Sequence, residues 1–173
     1  SDFLIASVLY EQGLRTVYEP NAICIEQTNK GTEKEMRMRI RVISQTFTDL
    51  WRNRSMMNPF KSGFYAIELI SHKVFRYSVP LFLILLFLSS AVLALHSEFF
   101  ALAVGVQTLF YFSAFIAWIF EKIGKPMRML AIPLYFVLTN VASLIGFYKF
   151  VIGERYAHWE TVRETKENLE LPT

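Results

Sequence analysis

Three arginines on one side of a predicted helix are the residues of this sequence whose type and spacing could do chemistry. A capping box at 32–35 begins the helix, which runs to about residue 53. One side of it carries Arg37, Arg41 and Arg52. A guanidinium binds phosphate through two parallel hydrogen bonds, so this side could hold an anionic ligand. The alternative is a solvated cationic face that binds nothing.

The other side of the same helix is apolar and predicts a face that packs against a core. Its residues recur at helical spacing: Met36, Ile40, Ile43, Phe47 and Leu50. Arg39 lies toward this apolar side and away from the three aligned arginines. We therefore expect replacement of Arg39 to be tolerated, unlike replacement of Arg41.

The segment before this helix resembles the texture of an α/β domain. Residues 2–12 predict a short amphipathic helix, and Gly13 ends it as a C′ glycine. Residues 15–20 favour a strand that Pro20 stops, and residues 22–26 favour a second. One or two strands do not form an independent sheet. We therefore expect residues 1–58 to be the C-terminal remnant of a larger cytoplasmic domain.

Long apolar segments dominate the rest of the chain. Residues 59–78 predict a basic amphipathic helix lying in the bilayer interface, with a core helix of a soluble domain as the alternative. Residues 79–153 hold three segments of about twenty residues each, the length that crosses a bilayer. Their expected bounds are 79–97, 99–120 and 129–152. A polar tail, 154–173, follows.

Polar positions inside these segments are few, and their spacing indicates packing between helices. Gln107, Asn140 and Lys149 are expected to hydrogen-bond between helices or to reach toward the membrane surface. Ala142 and Gly146 have the spacing of small residues that lets two helices approach closely.

Composition agrees with a membrane protein and excludes several function classes. The 173 residues are 53% hydrophobic and include sixteen Phe, whereas Glu98 is the single charged residue between 79 and 120. A net charge of +3 is too small to indicate nucleic-acid binding. The lone Cys24 excludes an intramolecular disulfide framework and a cysteine zinc cluster. P-loop, dinucleotide and Ser-His-Asp motifs are absent.

The distribution of basic residues predicts the orientation in the membrane. The loop at 121–128 carries Lys122, Lys125 and Arg128. Basic loops stay in the cytoplasm, which also assigns the chain before about residue 78 to the cytoplasm. We expect a multi-pass protein of the cell (inner) membrane.

The order of motifs in the chain resembles the processive family 2 glycosyltransferases. Asp2 precedes Gly13 by eleven residues, and RTVYEPNA at 15–22 is similar to the R-x-V-Y-x-P-x-A strand of that family. Arg41 follows 39 residues after Asp2, where the family carries the arginine of a Q-x-x-R-W motif. Met38 and Val42 stand where that motif has Gln and Trp.

Several properties follow from this resemblance alone. It implies that Asp2 is the catalytic base, and that Arg41, with Arg37 one turn away, contacts the diphosphate of a nucleotide-sugar donor, most simply a UDP-sugar. It implies a divalent metal, Mg²⁺ or Mn²⁺, bound by an N-terminal part that precedes this chain. We expect the chain to be a C-terminal half that is inactive by itself.

The expected activity is transfer of a hexosyl group with inversion to a growing cell-surface polysaccharide or a lipid-linked acceptor. Membrane lipid is a further partner, and nucleic acid is not. The alternative is a non-catalytic membrane anchor or transport subunit that docks a cytoplasmic partner. The expected fold is mainly α, with the tail of an α/β domain, amphipathic interface helices and a three-helix transmembrane region.

Overall fold

The computed structural model describes residues 5, 8–10, 12–23 and 32–154, and its regular structure is helical. These residues contain no β-strand. The proposed base Asp2 lies outside the described residues, as do Cys24 and residues 155–173 of the tail.

The turn at Gly13 is confirmed as a glycine helix end. Gly13 has a φ of +73°, which L side chains rarely adopt. Its N–H donates to the Tyr10 carbonyl at 3.0 Å, and the N–H of Leu14 donates to the Leu9 carbonyl at 3.0 Å. This pair of bonds is the Schellman motif, so the residues before Gly13 end as a helix.

The predicted strand after Gly13 is not formed. Residues 14–19 have no regular structure, and the side chains of Val17 and Tyr18 are each 87% exposed. A strand needs a neighbour to pair with, and the described residues supply none. The α/β character expected for this part of the chain is therefore absent from the described structure.

The predicted amphipathic helix is confirmed as α1, Thr32–Arg52. Ile43 and Leu50 on its apolar side are buried. Glu35 pairs with Arg39 at 2.7 Å, and the Thr32 hydroxyl donates to Glu121. The first turn of α1 is thus tied to another helix of the protein.

Short helices connect α1 to the first long apolar helix. A 3₁₀ turn, Arg54–Met57, precedes α2, Pro59–Ser62, and the Asn58 side chain caps α2 by accepting from the Phe60 N–H. Next come α3, Phe64–Leu69, and a π-helical segment, Ile70–Phe75. Leu50, Met56 and Leu69 form a small buried cluster that holds these pieces against the end of α1.

The first apolar helix, α4, is Arg76–Leu93, and it continues without a break from α3 and the π-helical segment. The expected division at residue 78 between an interface helix and a span therefore coincides with no end of a helix. The whole run Phe64–Leu93 is long and apolar enough to cross a membrane.

The other two apolar segments are also confirmed as helices. They form α5, Glu98–Lys122, and α6, Ala131–Val151, which follows a 3₁₀ turn at Arg128–Leu130. The Gln107 amide donates to the Leu83 carbonyl at 3.3 Å, so it bonds between α5 and α4 as expected. Asn140 instead donates to Phe136 of its own helix at 2.8 Å.

The surface of these helices is consistent with a multi-pass membrane protein. Large apolar side chains on α4 and α5 remain more than half exposed, among them Leu85, Val92, Leu102 and Leu109. A water-soluble monomer rarely exposes contiguous apolar surface of this extent. In a membrane, the acyl chains of lipids would cover this apolar surface.

Candidate functional site

The candidate site is a cavity of about 1160 Å³, here named the α1–α6 cavity. Its walls come from the first half of α1, the start of α4, the end of α5 and the first half of α6. Among the described residues, four charged ones line it: Glu35, Arg39, Arg76 and Glu121. Most of its remaining surface is apolar.

α1 packs closely on α6 beside this cavity, whose lining includes Ile43 and Ser143. Gly146 of α6 has no Cβ, and a Cβ placed there would lie 2.9 Å from the Cβ of Ile43 and 3.0 Å from the Ile40 carbonyl oxygen. Ala142 and Ser143, one turn earlier, are also buried. The small residues at 142 and 146 therefore form a helix contact as the sequence indicated, and the partner is α1.

Aromatic side chains extend this contact toward the end of α1. The ring of Phe47 lies 5.1 Å from that of Phe147 and 5.7 Å from that of Phe150. Trp51 meets Phe150 edge-on at 6.5 Å. The aromatic side chains near the end of α1 therefore pack on α6.

Arg39 is held in the cavity wall by two neighbours. Its guanidinium pairs with Glu35, donates to the Tyr135 hydroxyl and lies 5.0 Å from the centre of the Tyr135 ring. A stacked guanidinium that also donates two hydrogen bonds is not interchangeable with other cations. These contacts argue against the expectation that replacement of Arg39 is tolerated. Arg39 lies toward the apolar side of α1, and that side faces α6.

Arg76 and Glu121 are the other two charged residues of the lining. In the part of the chain that the structure describes, neither one belongs to an ion pair. Glu121 is half-buried and accepts a hydrogen bond from Thr32. Arg76 is exposed, and its charge repels that of nearby Lys73.

The two arginines predicted to bind diphosphate lie outside the cavity. Arg37 pairs with Glu33 at 3.2 Å, with 71% of its side chain exposed. Arg41, one turn further along α1, is half-buried and has a partner within the chain. Arg37 and Arg41 are neighbours on α1. Asp2, with which they are expected to act, lies outside the described residues. The described residues hold no cluster of His, Cys, Asp or Glu that could bind a metal ion.

Sequence reasoning missed the cavity and its charged lining. Arg76 and Glu121 each stand at the end of an apolar helix, and such end positions are where polar groups meet a membrane surface. That signal was present in the sequence. Their common cavity was not, because it depends on how four helices pack.

Comparison with known proteins adds no relative to this description. No family model, no curated protein and no solved structure matches the chain.

Proposed function

We propose that this chain is the C-terminal half of a membrane glycosyltransferase. It transfers a sugar with inversion from a nucleotide-sugar donor to a growing cell-surface polysaccharide or a lipid-linked acceptor. Asp2 acts as the general base, and Arg37 and Arg41 bind the donor diphosphate. Mg²⁺ or Mn²⁺ is bound by the expected upstream part. The protein lies in the cell membrane, with the chain before about residue 78 in the cytoplasm.

The observation that supports this proposal is the lengthwise contact between α1 and α6. α1 carries Arg37 and Arg41 on one side and packs its other side on an apolar helix through Ile43 and Phe47. A transferase that serves a membrane-bound acceptor needs its anion-binding groups fixed beside the bilayer. Positioning of this kind contributes much of an enzyme's rate enhancement.

The named residues account for the bonds and the proton of the proposed reaction. An acceptor hydroxyl attacks the anomeric carbon of the donor sugar, and the bond from that carbon to the diphosphate oxygen breaks. Asp2 takes the hydroxyl proton, and the nucleoside diphosphate leaves with the electron pair. The guanidinium of Arg41 stabilises the charge that develops on the leaving group, and a divalent metal held by the expected upstream part would supply further stabilisation of that charge.

Replacing the proposed base tests this function. In the full-length protein, Asp2→Asn should leave donor affinity nearly unchanged and lower sugar turnover by roughly 10²–10⁴, because an amide cannot accept the proton. The measurement is turnover of the nucleotide sugar beside its binding affinity.

Glu19→Gln is the matched control, since Glu19 is an exposed carboxylate whose hydrogen-bond partner among the described residues is the nearby Asn21. It should retain full turnover. Wild-type turnover in Asp2→Asn would contradict the assignment of the base. Absence of sugar transfer by the unaltered full-length protein would favour the non-catalytic anchor or transport subunit.

A further inference from the structure

The charges in the α1–α6 cavity are arranged as a separated pair. Glu35 and Arg39 neutralise each other at 2.7 Å. That leaves one cation, Arg76 at the start of α4, and one anion, Glu121 at the end of α5. Because they do not pair with each other, the cavity presents a positive and a negative group at different points of its wall. The complement of such a wall is a ligand that carries both charges.

The rest of the cavity suits hydrocarbon. Met36, Val42 and Val79 line it together with Ile132 and Leu134. The side chains of Ile132 and Val42 are 77% and 41% exposed, so the apolar wall continues onto the outer surface of the helices. A ligand here can keep its head between the charged residues and its tail along the outside of the protein.

Neighbouring residues indicate that this end of the helices meets the membrane surface. Trp118 and Lys122 lie one turn apart near the end of α5, with the Lys122 ammonium 4.2 Å from the centre of the indole ring. Tyr135 lies near the start of α6. Trp, Tyr and basic residues concentrate where apolar helices leave the hydrocarbon. The head of a lipid would therefore be at the depth of the charged residues.

We propose that the α1–α6 cavity binds a phospholipid with a phosphoethanolamine headgroup. Arg76 donates to the lipid phosphate, for which a guanidinium is well suited. Glu121 accepts hydrogen bonds from the primary ammonium, and the acyl chains lie along Ile132 and Val42. This inference does not rest on sugar transfer, since none of Asp2, Arg37 and Arg41 takes part.

Two other lipid classes fit the cavity less well. An anionic headgroup would satisfy Arg76 but would leave the half-buried carboxylate of Glu121 without a cation. A choline headgroup has no N–H to donate to Glu121.

The test is lipid binding by the full-length protein in nanodiscs. The protein is exposed to equal amounts of phosphatidylethanolamine, phosphatidylcholine and phosphatidylglycerol, and the lipids that stay bound are counted by native mass spectrometry. We expect preferential retention of phosphatidylethanolamine. Glu121→Gln should lower its preference over phosphatidylglycerol by roughly tenfold or more, and Arg76→Gln should weaken binding of both lipids.

Matched controls lie outside the cavity on exposed positions. Glu98→Gln alters a carboxylate at the other end of α5, and Arg128→Gln alters a cation in the turn before α6. Both should bind lipid as the unaltered protein does. Ile132→Trp fills the apolar wall from an exposed position, so it should displace the lipid without unfolding the protein.

Three results would overturn the proposal. The first is equal retention of the three lipids. The second is tighter binding of phosphatidylglycerol or phosphatidylcholine than of phosphatidylethanolamine. The third is lipid binding by Arg76→Gln, Glu121→Gln and Ile132→Trp that does not differ from lipid binding by the two controls. Asp2→Asn should bind lipid as the unaltered protein does. A failure of the transferase proposal would therefore leave the lipid-binding result unaffected.

Discussion

Arginines on α1 differ in what their side chains already contact. Arg39 is committed to Glu35 and Tyr135, whereas Arg37 extends into solvent with 71% of its side chain exposed. Arg41 lies between these extremes: it is half-buried, does not line the cavity and has a partner within the chain. Because Arg41 is less exposed than Arg37, its charge is screened less by salt and water.

Arg41→Lys tests the diphosphate assignment. Lysine keeps the charge and loses the two-pronged geometry of the guanidinium, so we expect weaker nucleoside-diphosphate binding and lower turnover. A lost charge-assisted hydrogen bond corresponds to about 1.5–3 kcal/mol. Nucleoside-diphosphate affinity and sugar turnover are the measurements, made on the full-length protein.

Arg128→Lys is the control for this substitution. Arg128 is exposed in the turn before α6 and does not belong to α1, so its replacement should leave both quantities unchanged. Arg39 cannot serve as the control because its contacts to Tyr135 are structural. Equal behaviour of Arg41→Lys and Arg128→Lys would mean that α1 is only a scaffold.

Gly146→Ala tests the contact of α1 with α6. The added Cβ would lie 2.9 Å from Ile43 and 3.0 Å from a backbone oxygen, and the backbone cannot yield locally. We expect α1 to shift and the protein to lose about 1–3 kcal/mol of stability, the usual cost of overpacking. The midpoint of thermal unfolding in detergent is the measurement.

The same substitution elsewhere isolates the effect of the contact. Gly105→Ala is also in an apolar helix, but a Cβ at Gly105 would meet nothing within 4 Å. Because alanine favours helix over glycine, this variant should be as stable as the parent or slightly more so. A Gly146→Ala variant that unfolds at the same temperature as Gly105→Ala would show that α1 does not depend on the close approach.

At the scale of helices and strands, the sequence predicted the elements whose pattern lies within a short stretch of residues. α1 follows from its helical stripe, and the three long apolar helices follow from their length and hydropathy. The strand expected at 15–20 fails because strand formation depends on a partner that local pattern does not reveal. Val17 and Tyr18 have the right residue types, but the described residues offer no strand for them to pair with.

The partners of the predicted faces required the structure. Helical spacing correctly separates Arg39 from Arg37 and Arg41, yet it cannot show that Tyr135 lies opposite Arg39. Gly146 signals a close approach without naming Ile43 as its neighbour. The residues that line the α1–α6 cavity come from four helices, and their proximity is a property of long-range packing.

At the scale of the whole molecule, the proposed orientation in the membrane gives a topology test. The turn after α4 contains His96, and the loop after α5 contains Lys125, so the two exposed residues lie at opposite ends of α5. In a Cys24→Ser background, His96→Cys should react with an impermeant thiol reagent in intact cells. Lys125→Cys should react only after permeabilisation, because basic loops stay in the cytoplasm.

The two labelling sites control each other. Labelling of both residues from the same side would mean that α5 does not cross the membrane. Labelling of Lys125→Cys alone in intact cells would reverse the orientation and would remove α1 from the cytoplasm.

Contact of α1 with α6 also sets the order in which the molecule can be assembled. A ribosome that adds about 5–20 residues per second makes Gly146 several seconds after Ile43, since the two are separated by roughly 100 residues. Until then the side of α1 that holds Ile43 and Phe47 has no α6 to cover it, whereas Leu50 already has Met56 and Leu69 beside it. We therefore expect α1 to complete its docking only after the last apolar helix has been made.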